Sequence, residues 1–194
     1  MKKEIFYISN LVSLSRFLLL GAACWLLLEQ QFHFACLFIF LIWLSDLLDG
    51  YLARSRNEIS ELGKIIDPLA DKTAVISIVL IMLVLNLIPG WYVIITVLRD
   101  ALILAGGLYL NSKKNIVLQS NWMGKLAVFT IGFTLFLAIF AAGSHLGQFG
   151  NYFSYHSEIT ELLYRVMLFL SLGMMILSVL SYFKRFLIIT KQKS

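Results

Sequence analysis

HFACLFIFLIWLSDLLDGYLARSRNEISELGKIIDPLADK, residues 33–72, decides how this chain is read. Its first part, residues 33–53, is an apolar run close to the ~20 residues a helix needs to cross a bilayer, yet Asp46 and Asp49 stand near its end. A polar connection, RSRNEISELGK (54–64), leads into a second apolar run that opens with Asp67 and Asp71. The first acid pair is spaced i,i+3 and the second i,i+4, so each pair shares one face of a helix. An ionised aspartate near the middle of a membrane helix disfavours insertion by about 2.5–3.5 kcal/mol, less towards the interface. Acids placed there are functional candidates first and packing residues second.

The surrounding chain supplies the setting. Of 194 residues, 60% are hydrophobic and 14% charged; soluble domains carry about 45–50% apolar and about 25% charged residues. Six apolar segments follow one another, at approximately 8–28, 33–53, 68–88, 91–110, 122–143 and 161–183. They are long, continuous and rich in Leu, Ile and Phe, whereas a membrane barrel would show short alternating segments. Backbone groups in lipid must bond within their own segment or within a closed barrel. The expectation is an all-α, polytopic membrane protein with six transmembrane helices, forming one domain over 1–194. Cys24 and Cys36 have no metal-type spacing and read as packing residues.

Lysine and arginine give the orientation. Lys2 and Lys3, Arg54, Arg56 and Lys64, Lys113 and Lys114, and Lys184, Arg185, Lys191 and Lys193 fall on one side. The connections 29–32, 86–90 and 144–160 contain neither residue. This asymmetry puts both termini in the cytoplasm. It also accounts for the net charge of +5 as topology plus attraction to anionic headgroups, with no nucleic-acid partner. Lys2 and Lys3 before an apolar run resemble a signal peptide, but Arg16 interrupts the run and apolar residues continue to Leu28, so a retained helix is expected.

Four carboxylates in one place repel each other and raise one another's pKa unless a cation neutralises them. An all-oxygen set suits Mg²⁺ or Mn²⁺, and no His or Cys nearby argues for zinc. The competing explanation is that the acids cap helices and pair with Arg54, Arg56 and Lys64; Asp67 before Pro68 has the form of an N-cap followed by proline at the first helical position. That leaves Asp46 and Asp49 inside an apolar helix unexplained. Gly50 and Ala53 allow close approach to the backbone, Arg54 at the interface can pair with a phosphate oxygen, and Gly63 permits a tight turn back into the membrane.

Taken together, these residues resemble the CDP-alcohol phosphotransferase family, whose pattern is D-x2-D-G-x2-A-R-x8-G-x3-D-x3-D. Asp46, Asp49, Gly50, Ala53, Arg54, Gly63, Asp67 and Asp71 match every fixed position. Eight chance matches at a given start have odds on the order of 10⁻¹⁰ at ordinary residue usage. The resemblance implies six membrane helices with cytoplasmic termini, in the inner (cytoplasmic) cell membrane, and an active site on the cytoplasmic face. It implies that Asp46, Asp49, Asp67 and Asp71 hold two divalent cations and that Asp71 also acts as base. It implies that Gly50, Ala53, Arg54 and Ser60 contact the cytidine diphosphate of CDP-diacylglycerol. Asn10, Ser13 and Arg16 resemble an N-x2-T-x2-R pattern of glycerophosphate-accepting members, with serine in place of threonine, which adds Asn10 to the CDP-lipid contacts. A homodimer is likewise implied.

Such an enzyme transfers a phosphatidyl group to an alcohol and releases CMP. No Cys or activated Ser stands beside a base, so direct attack by the acceptor is expected rather than a covalent intermediate. Arg99 in the fourth segment and Lys125 at the start of the fifth are candidates to hold an acceptor phosphate, against a plain role in topology and snorkelling; Asp100 is a simple partner for Arg99. The N-terminal NLVSLSRFLLL and the W-x-G-K element at Trp122–Lys125 resemble phosphatidylglycerophosphate synthases, which use glycerol 3-phosphate. Those enzymes usually continue G-K-x-K-T, whereas this chain reads GKLAV, and LRDALILAGGLYL at 98–110 resembles the cardiolipin synthases, which use phosphatidylglycerol. Glycerol 3-phosphate is the first expectation, phosphatidylglycerol or another alcohol the alternative. A cation-conducting membrane protein would explain buried acids but not Gly50, Ala53 and Arg54. His145 and His156, eleven residues apart in the loop 144–160 with Tyr152 and Tyr155, have no recognised ligand spacing. Arg165 is expected to snorkel or to pair with Glu161.

Overall fold

The computed structural model describes the backbone of residues 8–56, 63–114 and 121–191, and the side chains of these residues apart from 8–14, 16, 46–56, 63–72, 74, 111, 113–114 and 191. Every regular element among them is helical: α1 Ile8–Leu28, α2 Phe32–Arg56, α3 Gly63–Val84, α4 Gly90–Lys114, α5 Trp122–His145, α6 Asn151–Tyr155 and α7 Ser157–Lys191. Six of these are long, and each lies over one of the six apolar segments, although α3 ends at Val84, short of the expected 88. α4, α5 and α7 carry stretches long and apolar enough to cross a membrane, Gly90–Leu110, Trp122–His145 and Ser157–Thr190, with mean hydropathies of 1.9, 2.3 and 2.2. Their outward faces show large apolar side chains such as Leu102, Phe129 and Phe169, each more than 60% exposed, as lipid contact requires. α1, α2 and α3 contribute the shorter apolar stretches Phe17–Leu28, Phe32–Ser45 and Val75–Val84 within the described residues.

Several boundaries differ from the sequence expectation, two of them at residues singled out there. α3 begins at Gly63, so Asp67 and Pro68 lie inside the helix and Asp67 is not its N-cap. Pro68 is the sixth helical residue, and its missing N–H removes one bond to the carbonyl of Lys64. The connection 144–160 is not a loop throughout, because it contains α6 and the first four residues of α7. In α6 the rings of Tyr152 and Tyr155 pack edge-on to His156.

Three helices stop in the same way. After α1, Gln31 N–H bonds to Leu26 O at 2.8 Å and Gln30 N–H to Leu27 O at 3.0 Å, with Gln30 at φ 55°. After α3, Leu87 and Asn86 bond back to Met82 and Leu83, with Asn86 at φ 56°. After α5, Gln148 and Gly147 bond back to Gly143 and Ser144, with Gly147 at φ 72°. Each is a Schellman ending, in which one left-handed residue lets two orphan carbonyls find donors. Asparagine and glycine suit that position; glutamine carries more strain there.

The chain gathers into two compact units, one from 1–87 with 142–156 and the other from 88–141 with 157–194. In the first, α1 packs against both α2 and α3. Its core holds Leu20, Ala23 and Ile42, with Leu19, Cys24, Phe38, Ile39 and Ile78 packed around them. At one end Gln148 ties two turns together: its Nε2 donates to Gln30 O at 2.7 Å and its Oε1 accepts from His33 N–H at 3.3 Å. Gly143 is required there, because a Cβ would run into the ring of Phe149 and stand 3.0 Å from Phe32 Cβ.

The second unit is built on α7. Tyr92 OH meets Ser171 Oγ at 2.9 Å, Thr96 Oγ1 meets Met175 Sδ at 3.8 Å, and Arg99 Nη2 donates to Ser178 Oγ at 2.6 Å. Each pair is separated by 79 residues, so α4 and α7 run parallel and in register. α5 runs the other way, since Thr134 reaches Met167 O and Asn121 reaches Ser181. Its buried stripe is mostly small, with Gly124, Ala127, Thr130, Thr134, Ala138 and Ala141, and Ile139 buried beside Ala138. Small residues at this spacing let helices in a bilayer approach closely and exchange hydrogen bonds worth about 0.6–1.7 kcal/mol each.

Candidate active site

The acid pairs stand on the two helices that flank residues 57–62. At a rise of 1.5 Å per residue, Asp46 and Asp49 lie ~15 and ~10 Å along the axis from Arg56 at the end of α2, and Asp67 and Asp71 ~6 and ~12 Å from Gly63 at the start of α3. Both pairs therefore occupy overlapping depths, measured from the helix ends that this segment joins. Gly50, Ala53 and Arg54 follow on the last two turns of α2. Because α1 turns directly into α2 and packs along it, the N-terminal half of α1, with Asn10, Ser13 and Arg16, runs beside the C-terminal half of α2. The side chains of all these residues, and Ser60 entirely, lie outside the described residues. The oxygen-only cage for divalent cations expected of these acids therefore falls on side chains outside the described residues.

The acceptor candidates belong to the second unit, where side chains are described. Arg99 is 7% exposed. Its Nη1 pairs with Asp100, as expected, and its Nη2 donates to Ser178. Its buried Nε has no hydrogen-bond partner among the described residues. An unpartnered buried donor costs about 1–3 kcal/mol and invites an explanation such as a water or an anion. Lys125 is exposed on the first turn of α5. Parallel register places Arg99 beside Ser178, and Asn121 binds Ser181 less than one turn further along α7. Arg99 and Lys125 thus come to one level of this unit. Arg165 pairs with Glu161, at 2.8 Å between Nε and Oε1.

Sequence reasoning missed three residues of this junction. Asn121 caps α5, its Oδ1 accepting from Gly124 N–H at 2.7 Å, while its Nδ2 donates to Ser181 Oγ at 2.6 Å. The signal was present, since asparagine just before an apolar helix is a strong N-cap. Ser178 and Ser181 left a fainter one, as small polar residues in an apolar helix mark a helix contact. Ala127 matters by contrast: it stands where the G-K-x-K-T pattern has its second lysine, and it is fully buried.

A family model described as CDP-alcohol phosphatidyltransferase matches residues 6–180. A cardiolipin synthase (CMP-forming) of Streptomyces coelicolor is 30% identical over 147 residues, covering 73% of this chain and 68% of that protein. A CDP-diacylglycerol–glycerol-3-phosphate 3-phosphatidyltransferase of Bacillus subtilis is 35% identical over 95 residues, covering 48% of this chain and 49% of that protein. One of the same name from Mycoplasma genitalium is 42% identical over 86 residues, covering 42% of this chain and 34% of its own length. The chain thus spans about half or less of the two phosphatidyltransferases of that name.

Proposed function

Because the chain belongs to the CDP-alcohol phosphatidyltransferase family, we propose that it is a membrane enzyme of phospholipid synthesis that moves the phosphatidyl group of CDP-diacylglycerol to an alcohol and releases CMP. The observation that carries this reading is the complete eight-residue pattern from Asp46 to Asp71, divided between α2 and α3.

Asp46, Asp49, Asp67 and Asp71 would hold two divalent cations, Mg²⁺ or Mn²⁺, which supply charge stabilisation at the diphosphate as CMP departs. Gly50, Ala53, Arg54, Ser60 and Asn10 hold the cytidine diphosphate portion, Arg54 by pairing with phosphate oxygen. Asp71 removes the proton from the acceptor hydroxyl. The resulting oxygen nucleophile attacks the phosphorus bonded to diacylglycerol, the P–O bond to CMP breaks, and no covalent enzyme intermediate forms. Six spans with both termini in the cytoplasm put this chemistry at the cytoplasmic face of the inner membrane. Parallel α4 and α7 support that topology, since they bring the basic ends at 113–114 and 184–185 to the same end of their unit. A homodimer of single-domain chains is the working assembly.

The acceptor is a glycerol phosphate, held by Arg99 and Lys125. Glycerol 3-phosphate is the first reading, supported by the W-x-G-K element. A specific observation favours phosphatidylglycerol as the second: buried Ala127 replaces the second lysine, and Asp100 offsets Arg99, which leaves little charge for a dianion. Purified protein given CDP-diacylglycerol and Mg²⁺, with glycerol 3-phosphate, phosphatidylglycerol, inositol phosphate or serine in separate arms, tests this through CMP release. Release with either glycerol phosphate supports the reading; release only with serine or inositol phosphate overturns the acceptor assignment.

A further inference from the structure

Ser178 and Ser181 stand three residues apart on α7 and hold different helices. Ser178, fully buried, accepts from Arg99 Nη2 of α4 at 2.6 Å. Ser181 accepts from Asn121 Nδ2 of α5 at 2.6 Å. Asn121 in turn holds the first turn of α5 by two bonds, its Oδ1 to Gly124 N–H at 2.7 Å and its backbone carbonyl to Lys125 N–H at 3.1 Å. The contact is close on the other side as well. A Cβ on Gly124 would lie 3.1 Å from both Cε2 and OH of Tyr182, the residue after Ser181. A guanidinium on one helix and an ammonium on another are therefore both referenced to a single rigid helix, over about one turn.

We propose that Ser178, Ser181 and Asn121 are positioning residues that set the separation of Arg99 and Lys125, and with it the affinity for the anionic group of the acceptor. This rests on the acceptor role given to Arg99 and Lys125 above. The physical reason is geometric. A phosphate is held well only when its two cations meet its oxygens together; α4 and α5 are tied to α7 further along as well, by Tyr92–Ser171, Thr96–Met175 and Thr134–Met167, and Ser178 and Ser181 make the hydrogen-bonded ties at the level of Arg99 and Lys125. A lysine stem is flexible, so the anchor of its helix turn controls where the ammonium can reach.

The test compares Ser181→Ala, Asn121→Ala, Lys125→Ala and the Ser181→Ala/Lys125→Ala double variant, with Ser181→Thr as the conservative control. Initial rates of CMP release are measured against acceptor, using glycerol 3-phosphate and phosphatidylglycerol in separate series, and against CDP-diacylglycerol. The expected result for Ser181→Ala and Asn121→Ala is a rise of five- to tenfold in acceptor KM, with the KM for CDP-diacylglycerol and kcat within twofold. Ser181→Thr keeps the hydroxyl and stays near the parent. The double variant matches Lys125→Ala alone, because Ser181 acts through Lys125. An unchanged acceptor KM in Ser181→Ala, beside a raised one in Lys125→Ala, overturns the positioning role and leaves the acceptor site standing. Equal effects on both KM values, or fully additive effects in the double variant, also overturn it. No effect of Lys125→Ala on either acceptor overturns the acceptor site itself.

Discussion

Replacing Arg99 by methionine separates what the residue does for the fold from what it does for the acceptor. Three contributions to stability are visible. The bond from Nη2 to Ser178 is worth about 1.5–3 kcal/mol as a hydrogen bond from a charged donor. The pair with Asp100, whose side chain is 61% exposed, adds only about 0–1 kcal/mol after screening. Against these stands the unpartnered Nε, at about 1–3 kcal/mol. The terms offset to within about 3 kcal/mol. Methionine is a flexible apolar filler of similar reach, and replacing buried charge by well-packed apolar volume is often neutral or stabilising. The Ser178 hydroxyl can turn to a carbonyl of its own helix, as Ser171 already does to Leu168 O at 2.8 Å. Arg99→Met is therefore expected to shift the melting temperature of the detergent-solubilised protein by no more than about 6–12 °C in either direction. The acceptor KM, by contrast, should rise about 10–100-fold, the equivalent of one lost charge-assisted contact of about 1.5–3 kcal/mol. Thermal denaturation and CMP-release kinetics on one preparation read both quantities. A melting point lowered by much more than that, with an unchanged acceptor KM, would refute the reasoning and make Arg99 a structural residue.

Other perturbations probe the packing. Gly143→Ala forces a methyl group against Phe149 and Phe32, and overpacking of this kind costs about 1–3 kcal/mol; a melting point equal to the parent's would contradict it. Tyr92→Phe removes the bond to buried Ser171 and should lower stability by about 0.6–1.7 kcal/mol, seen as a small fall in melting temperature with turnover retained. Asp71→Asn should abolish turnover in a folded protein that still binds CDP-diacylglycerol, and near-normal turnover would remove Asp71 as base.

The helices were legible because an apolar run in a membrane protein leaves the backbone few choices. Their ends were less so. α1 stops at a left-handed Gln30, which carries no strong stop signal, and α3 starts before Pro68, five helical residues preceding the proline. α7 continues to Lys191 past its apolar expectation, since Lys184 and Arg185 are good helix formers despite their charge. Of the candidate site, Asp46 to Asp71 could be read because acids in an apolar helix are costly and therefore conspicuous. The Ser178–Ser181–Asn121 junction was only partly legible: Asn121 reads as an N-cap, but serines are common and their meaning lies in which helices they join. The 79-residue offset between α4 and α7 is a property of packing that no local pattern announces.

The central claim is a divalent-cation-dependent release of CMP governed by acids on α2 and α3. Its most direct measurement is CMP formed by purified protein from CDP-diacylglycerol and an acceptor, before chelation, after it, and after Mg²⁺ or Mn²⁺ is restored. The prediction is activity lost on chelation, regained with either ion, and absent under all three conditions in Asp46→Asn and Asp71→Asn. Undiminished CMP release after complete chelation, or in both asparagine variants, would contradict it.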